Sequence, residues 1–83
     1  MEPFAIGIDL GGTAIKVATV SIAGKSLSQH HLATEAHLGP ARVLENMMSG
    51  VAFLLGGISK EECQQYLLGI GIGVPGVVSL DGG

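Results

Sequence analysis

Two stretches of the chain alternate large and small residues, and this pattern strongly limits how the chain can fold. In Phe4–Leu10 the even positions are large and apolar, whereas the odd positions are small or polar. In Tyr66–Val74 the even positions from 68 onward are aliphatic, and positions 69, 71 and 73 are glycines. A period of two is typical of β-strands, because successive side chains point to opposite faces of a sheet. We therefore predict two neighbouring strands with a shared large face and a shared small face, and the small face would let a helix or a ligand approach closely.

The segment between these stretches has the pattern of a helical crossover. Proline is favoured at the first position of a helix and glycine at its end, so Pro40 and the pair Gly56–Gly57 bound a predicted helix. A capping-box pattern at Ser59–Glu62 predicts a short second helix through Gln65. A crossover of this kind makes the two strands parallel neighbours. The apolar positions of the longer helix form one predicted continuous stripe of Val43, Leu44, Met47, Met48, Val51, Leu54 and Leu55.

Two further strands are predicted directly after the first. Thr13–Ser21 is an apolar strand, Ile22–Lys25 is a turn, and Leu27–Thr34 is a more polar strand that we place near an edge of the sheet. The chain has 83 residues, of which 47% are hydrophobic and 13% charged. Such a composition is not that of a disordered chain. We predict an α/β fold of three antiparallel strands, a helix and a parallel fourth strand.

Charge and cysteine content exclude several classes of function. The net charge is −3 and no basic patch exists, which argues against a nucleic-acid partner. A single cysteine, Cys63, excludes an internal disulfide framework and a cysteine zinc site. The sequence has neither a signal-peptide pattern nor an apolar run of membrane-spanning length. We expect a cytoplasmic protein without a membrane partner.

The turn after the first strand carries the residues with the clearest chemistry. Gly11 and Gly12 predict a hairpin turn with positive φ, and the N–H groups of such a turn can bind an anion. Thr13 adds a hydroxyl, and Lys16 adds a positive charge suited to phosphate. Asp9 would repel a phosphate unless a hard cation such as Mg²⁺ lies between them. The stretch therefore favours a Mg-nucleotide, and the alternative is a plain hairpin in which Asp9 serves only as a cap.

Two other patterns are set aside. His30 and His31 are neighbours on a predicted strand, so they face opposite sides and cannot share one metal; we interpret them, and His37, as solvated residues. The spacing of Gly71, Gly73 and Gly76 matches a dinucleotide-binding pattern, but no helical pattern follows it. A Walker-type phosphate loop is absent from the sequence.

The motif from Asp9 to Lys16, Asp-Leu-Gly-Gly-Thr-x-x-Lys, resembles the first phosphate motif of the sugar-kinase, actin and Hsp70 ATPase superfamily. It is most similar to that of the ROK family (repressor, open reading frame, kinase), which includes bacterial glucokinases. Gly71–Val78 resembles the ROK segment Gly-x-Gly-x-Pro-Gly, which leads to the sugar site. The resemblance implies the amino-terminal part of an actin-like ATPase (ribonuclease H-like) domain over residues 1–83. It implies ATP and phosphate contacts from Asp9, Gly11, Gly12, Thr13 and Lys16, Mg²⁺ bound by Asp9 through water, and sugar contacts from Gly76 and Val77.

The same resemblance places the catalytic aspartate, a Glu-x-x-His segment and often a structural zinc site downstream of these residues. We expect the chain to be the amino-terminal piece of an ATP-dependent hexose kinase, inactive by itself and without a catalytic residue of its own. The resemblance also implies a homodimer and a hexose or N-acetylhexosamine substrate. One alternative is a ROK-type sugar-responsive regulator, although only eight residues precede Asp9 and such regulators carry a DNA-binding segment there. Another is a different actin-like ATPase, which the Pro75–Gly76 segment disfavours.

Overall fold

The computed structural model describes residues 2–73, which form one mixed sheet with two helices. In chain order the elements are β1 (Phe4–Leu10), β2 (Ala14–Ser21), β3 (Ser26–Ala33), a 3-10 helix (Ala36–Leu38), α1 (Pro40–Leu55), α2 (Lys60–Tyr66) and β4 (Leu67–Gly73). The strand order is β3-β2-β1-β4. β1 is antiparallel to β2 and parallel to β4, and β3 is antiparallel to β2 at an edge. The predicted α/β fold, the crossover and the edge position of β3 are confirmed.

The helix boundaries follow the capping signals in the sequence. Pro40 is the first residue of α1, and Gly39 before it has a φ of 98°, a value that glycine adopts easily. α2 begins with a complete capping box, in which the Ser59 hydroxyl accepts from the Glu62 N–H and the Glu62 side chain accepts from the Ser59 N–H. Neither helix within residues 2–73 is long and apolar enough to cross a bilayer.

The core lies between α1 and one face of the sheet. The large side chains of β1 and β2 point to this face and meet the inner side of α1. The buried cluster consists of Phe4, Ile6, Ile8, Ile15, Val17, Met47, Val51 and Leu54. Burial of this kind stabilises a fold by about 25 cal/mol for each Å² of apolar surface removed from water. It also fixes which face of the sheet remains open, because α1 covers only the large face.

The predicted stripe on α1 is too broad. Leu44 and Met48 are 56% and 62% exposed, so they lie outside the buried face. The helix instead contacts the sheet through a narrower face that includes Gly50, which has no side chain. A Cβ on Gly50 would lie 3.0 Å from Val17 Cγ2 and 3.1 Å from Leu32 Cδ2. The helix thus approaches the sheet closely at Gly50, whereas Leu44 and Met48 lie on a part of α1 that residues 2–73 leave uncovered.

We expect a large side chain at Gly50 to separate α1 from the sheet. Gly50→Leu should lower the free energy of unfolding by about 1–3 kcal/mol through overpacking. Gly50→Ala should change it by less than about 1 kcal/mol, because better helix propensity offsets the crowding. Urea unfolding measures both effects, and Ser49→Leu, at the exposed neighbouring position, is the matched control. Equal stability of the two leucine variants would contradict the close approach.

β4 follows the predicted alternation only in its second half. Leu67 pairs with Phe4, but the next pairs are Ile70 with Ile6 and Ile72 with Ile8, so a β-bulge interrupts the register. Leu67 packs against the core, whereas Ile70 and Ile72 are 53% and 59% exposed. The large residues of β1 and β4 do share a face, as predicted. α1 does not reach across to β4, so this part of the face is uncovered by residues 2–73.

Candidate functional site

A row of polar residues crosses the open face of the sheet beside the turn between β1 and β2. Asp9 pairs with Lys16 on one side and with Gly73 on the other. Lys16 in turn pairs with His31 of β3. Paired residues point to the same face, and their Cβ atoms start about 4.5–5.5 Å apart when strands are antiparallel. We call this row of four paired positions the polar row; it consists of Gly73 and the three polar residues Asp9, Lys16 and His31.

The polar row lies between two adjoining hollows. One has a volume of about 480 Å³, and its floor is formed by small residues such as Gly7, Ala18 and Gly71. The other has a volume of about 290 Å³ and lies beside Gly11 and His31. Asp9 and Lys16 line both hollows. The predicted position of Asp9 on a face with free space is therefore confirmed.

The conformation of the Gly–Gly turn differs from the predicted one. Within residues 2–73 the glycines with positive φ are Gly24 and Gly39, so neither Gly11 nor Gly12 uses the left-handed region. Gly11 is required for another reason, because a Cβ on it would lie only 2.8 Å from the carbonyl oxygen of Ala14. The Gly11 N–H donates to that same oxygen at 3.0 Å. Gly11 is thus a close-approach glycine that closes the turn.

Gly12 has no comparable role within the described fold. A Cβ on Gly12 would meet no atom within 4 Å, and the residue is exposed. Among residues 2–73, the N–H groups of Gly12 and Thr13 have no hydrogen-bond partner. Thr13 is also exposed. Adjacent backbone N–H groups without a protein partner have the chemistry to bind an anion.

The charges of Asp9 and Lys16 are not consumed by ion pairs within residues 2–73, where Arg42 makes the two pairs that occur. Asp9 is the one carboxylate that lines the two hollows in this part of the chain. Mg²⁺ usually keeps several waters and is held by one or two carboxylates together with phosphate oxygens. A single carboxylate next to an anion site fits that requirement. A structural metal site would need several side-chain ligands close together, and no group of three potential ligands occurs among residues 2–73.

His30 and His31 lie on opposite faces of β3, as predicted. The ring of His30 stacks on Phe53 of α1, with ring centroids 3.9 Å apart and planes 17° apart. His31 belongs to the polar row on the open face. Sequence reasoning treated both as solvated residues and did not place His31 beside Lys16. The strand register was needed to find that pairing, because the alternation shows only that the two histidines differ in face.

Sequence reasoning also missed Thr34, which supports the turn from behind. Its hydroxyl donates to the Gly11 carbonyl oxygen at 2.8 Å, and its N–H donates to the Thr13 carbonyl oxygen at 3.0 Å. Thr34 is 3% exposed, so these bonds are shielded from water. The residue was predicted only as the end of a strand. A buried hydroxyl partnered 23 residues away leaves no local signal in the sequence.

A larger and shallower hollow of about 950 Å³ lies on the outer side of α1. Its charged residues include Arg42 and Glu45, which pair with each other at 3.5 Å. Its remaining lining is mostly apolar or small. It therefore lacks the converging free charges that distinguish the polar row. Gly76 and Val77, the predicted sugar contacts, lie outside the described residues.

Comparison with known proteins agrees with the motif at the turn. The sequence model of the ROK family matches residues 5–83. The chain belongs to the ROK family. This ROK chain is 33% identical over 78 residues to a glucokinase of Halalkalibacterium halodurans, covering 94% of the chain and 23% of the glucokinase. It also superposes on the crystal structure of a candidate sugar kinase from Cytophaga hutchinsonii with a TM-score of 0.63 and 29% identity, covering 94% of the chain and 24% of that protein. The chain thus spans about a quarter of the length of the relatives that it matches.

Proposed function

We propose that this chain is the amino-terminal phosphate-binding segment of an ATP-dependent hexose kinase. The observation that carries the proposal is the pairing of Asp9 and Lys16 on one open face, next to a turn in which the N–H groups of Gly12 and Thr13 have no partner among residues 2–73. Phosphoryl transfer requires a cradle for the nucleotide phosphates, a metal ion to spread charge, and a base for the attacking hydroxyl. The described residues supply the first of these and one ligand for the second.

Each residue of the site has a distinct role in this proposal. The N–H groups of Gly12 and Thr13 donate to phosphate oxygens, and the Thr13 hydroxyl adds a further donor. Lys16 supplies a positive charge to the same phosphates. Asp9 would hold Mg²⁺ through water, and the bound ion would supply positive charge to the transferred phosphoryl group. Gly11 closes the turn so that the neighbouring N–H groups face outward.

The proposal assigns the rest of the reaction to residues outside this chain. The base that accepts the proton of the sugar hydroxyl is assigned to downstream residues, by the family resemblance. Gly76 and Val77 are the segment that we expect to contact the sugar, by the family resemblance alone. We therefore propose that the chain by itself transfers no phosphate. The full-length kinase would be a cytoplasmic homodimer acting on a hexose or an N-acetylhexosamine, and a structural zinc would belong to its downstream part.

The test is a phosphorylation assay of the full-length protein against a panel of hexoses and N-acetylhexosamines with MgATP. We expect turnover that depends on both sugar and MgATP, and none from the isolated 83-residue chain. Tight sugar binding without turnover would favour a ROK-type regulator instead. ATP hydrolysis that no sugar stimulates would favour another actin-like ATPase. Turnover by the isolated chain above that of its Lys16→Ala variant would contradict the proposed need for downstream residues.

A further inference from the structure

We infer that Thr34 is a positioning residue that aims the Gly12 N–H at a nucleotide phosphate, and that Asn46 of α1 holds Thr34 in place for this purpose. The inference rests on the proposed function, because it assigns a role toward the same phosphate. It concerns residues that contact the turn from behind and that do not touch the open face of the polar row.

The argument begins with the geometry of a single peptide group. The carbonyl of Gly11 and the N–H of Gly12 belong to the same planar trans peptide, so they point in opposite directions. The Thr34 hydroxyl donates to that carbonyl oxygen at 2.8 Å. The bond therefore fixes the plane of the peptide and turns the Gly12 N–H away from Thr34, toward the exposed side. This is one of the two N–H groups that have no partner among residues 2–73.

A second bond from the same residue supports the other side of the turn. The Thr34 N–H donates to the Thr13 carbonyl oxygen at 3.0 Å. Thr34 thus donates hydrogen bonds to two carbonyl oxygens of the turn, and Gly12 lies between the two acceptor residues. Because Thr34 is 3% exposed, water cannot readily replace either bond. The turn is held in the ligand-free state, which lowers the ordering cost when a phosphate binds.

Asn46 connects Thr34 to α1 through hydrogen bonds. Its side-chain Nδ2 lies 3.1 Å from the carbonyl oxygens of Ala33 and Thr34 and 2.9 Å from Oε1 of Glu35. These bonds hold the chain where β3 ends. Glu35 adopts a left-handed conformation with a φ of 57°, which is uncommon for a residue other than glycine. Asn46 therefore stabilises an unfavourable backbone conformation directly after Thr34.

The charge on Glu35 strengthens this link. The hydrogen bond from Asn46 is the largest influence that holds the pKa of Glu35 below its ordinary value of 4.5, and the nearby Arg42 acts in the same direction. The carboxylate is thus charged at neutral pH and accepts a charge-assisted hydrogen bond from the amide. Arg42 also pairs with Glu35 at 3.4 Å. Thr34 and Asn46 form one connected network between the helix and the turn.

The test uses isosteric and hydroxyl-retaining variants of Thr34 in the full-length kinase. Thr34→Val keeps the shape but removes the hydroxyl, so it should raise KM for MgATP by about tenfold, as expected when a buried acceptor loses its partner. Thr34→Ser keeps the hydroxyl and should stay within about threefold of the wild type. KM for the sugar should change by less than about twofold in both, because the turn contacts only the nucleotide. A purely structural role would not separate the two KM values in this way.

Asn46→Ala provides a second arm that leaves both hydrogen bonds from Thr34 to the turn intact. It should raise KM for MgATP by about threefold. In the Thr34→Val background the same substitution should raise KM for MgATP by less than about threefold, because both residues act on one network. Glu45→Ala is the matched control, because Glu45 is the exposed neighbour of Asn46 on α1 and, among residues 2–73, forms an ion pair only with Arg42. If Thr34→Val does not fold, as judged by circular dichroism, Asn46→Ala decides the question.

The outcomes separate this inference from the proposed function. A wild-type protein that binds MgATP in calorimetry but phosphorylates no sugar overturns the kinase proposal, and the same variants then test the inference through the Kd for MgATP. An active wild type in which Thr34→Val and Thr34→Ser behave alike overturns the inference alone. The inference is also overturned if Glu45→Ala raises KM for MgATP as much as Asn46→Ala does. A wild type that binds no MgATP overturns both.

Discussion

Replacing Asp9 with asparagine should lower kcat/KM of the full-length kinase by about 10²–10³-fold, the range expected when a positioned group that stabilises transition-state charge is removed. Asparagine has nearly the same shape as aspartate but carries no charge, so it holds a hydrated Mg²⁺ far less well. The neighbouring hollows would accept the new side chain without crowding. Steady-state kinetics at varied free Mg²⁺ is the measurement, and the Mg²⁺ concentration for half-maximal activity should rise in the variant.

Removal of a carboxylate elsewhere distinguishes this effect from a general loss of charge. Glu61→Gln removes a negative charge from the exposed first turn of α2, away from the polar row. It should leave both kcat/KM and the Mg²⁺ dependence unchanged. Retention of wild-type kcat/KM by Asp9→Asn would mean that the carboxylate in the polar row does not serve the metal. The proposed role of Asp9 would then be wrong.

Local patterns in the sequence were sufficient to predict most of the fold. The alternation in Phe4–Leu10, the proline at position 40 and the capping box at Ser59 each report on a few neighbouring residues, and the structure confirms all three. Such signals arise because backbone geometry and hydrogen bonding act over one turn or one strand. The parallel pairing of β1 and β4 followed from their shared face and the crossover between them.

Features set by contacts between distant residues were not predictable in this way. The exposure of Leu44 and Met48 depends on which side of α1 faces the sheet, and Gly50 lies on that side. The β-bulge before Ile70 breaks an alternation that looks continuous in the sequence. Both depend on packing in three dimensions, whereas hydrophobic periodicity describes one element at a time.

The candidate site shows the same division. The residue types at Asp9, Thr13 and Lys16 predicted a phosphate site, and the register then placed Asp9 beside Lys16. The support from Thr34 spans 23 residues and could not be read from either segment alone. The reason for Gly11 was also mispredicted, because a Gly–Gly pair suggests positive φ before it suggests close approach. The residue types of the candidate site were thus visible in the sequence, but the contacts that hold its geometry were not.

Gly11→Ala should lower the stability of the fold, whereas Gly12→Ala should weaken nucleotide binding, although the two residues are neighbours in one turn. A Cβ at Gly11 would lie 2.8 Å from the Ala14 carbonyl oxygen, which belongs to the backbone and cannot rotate away. Gly11→Ala should therefore lower the free energy of unfolding by about 1–3 kcal/mol, the usual cost of strained backbone at one position. Gly12→Ala should leave the free energy of unfolding nearly unchanged, since a Cβ there meets no atom within 4 Å.

The effect of Gly12→Ala should appear only when the nucleotide binds. If the phosphates approach the free N–H of Gly12, a methyl group at this position stands between the ligand and the turn. KM for MgATP should then rise by about tenfold or more, comparable to the loss of one hydrogen bond to a charged group. Urea unfolding and steady-state kinetics on the same two proteins separate stability from binding. Gly24→Ala is the control, because Gly24 is an exposed turn glycine with a φ of 85°. It should lower the free energy of unfolding and leave KM for MgATP unchanged. Unchanged KM for MgATP in Gly12→Ala would show that the phosphates do not approach this side of the turn, because nothing within the described fold requires glycine at that position.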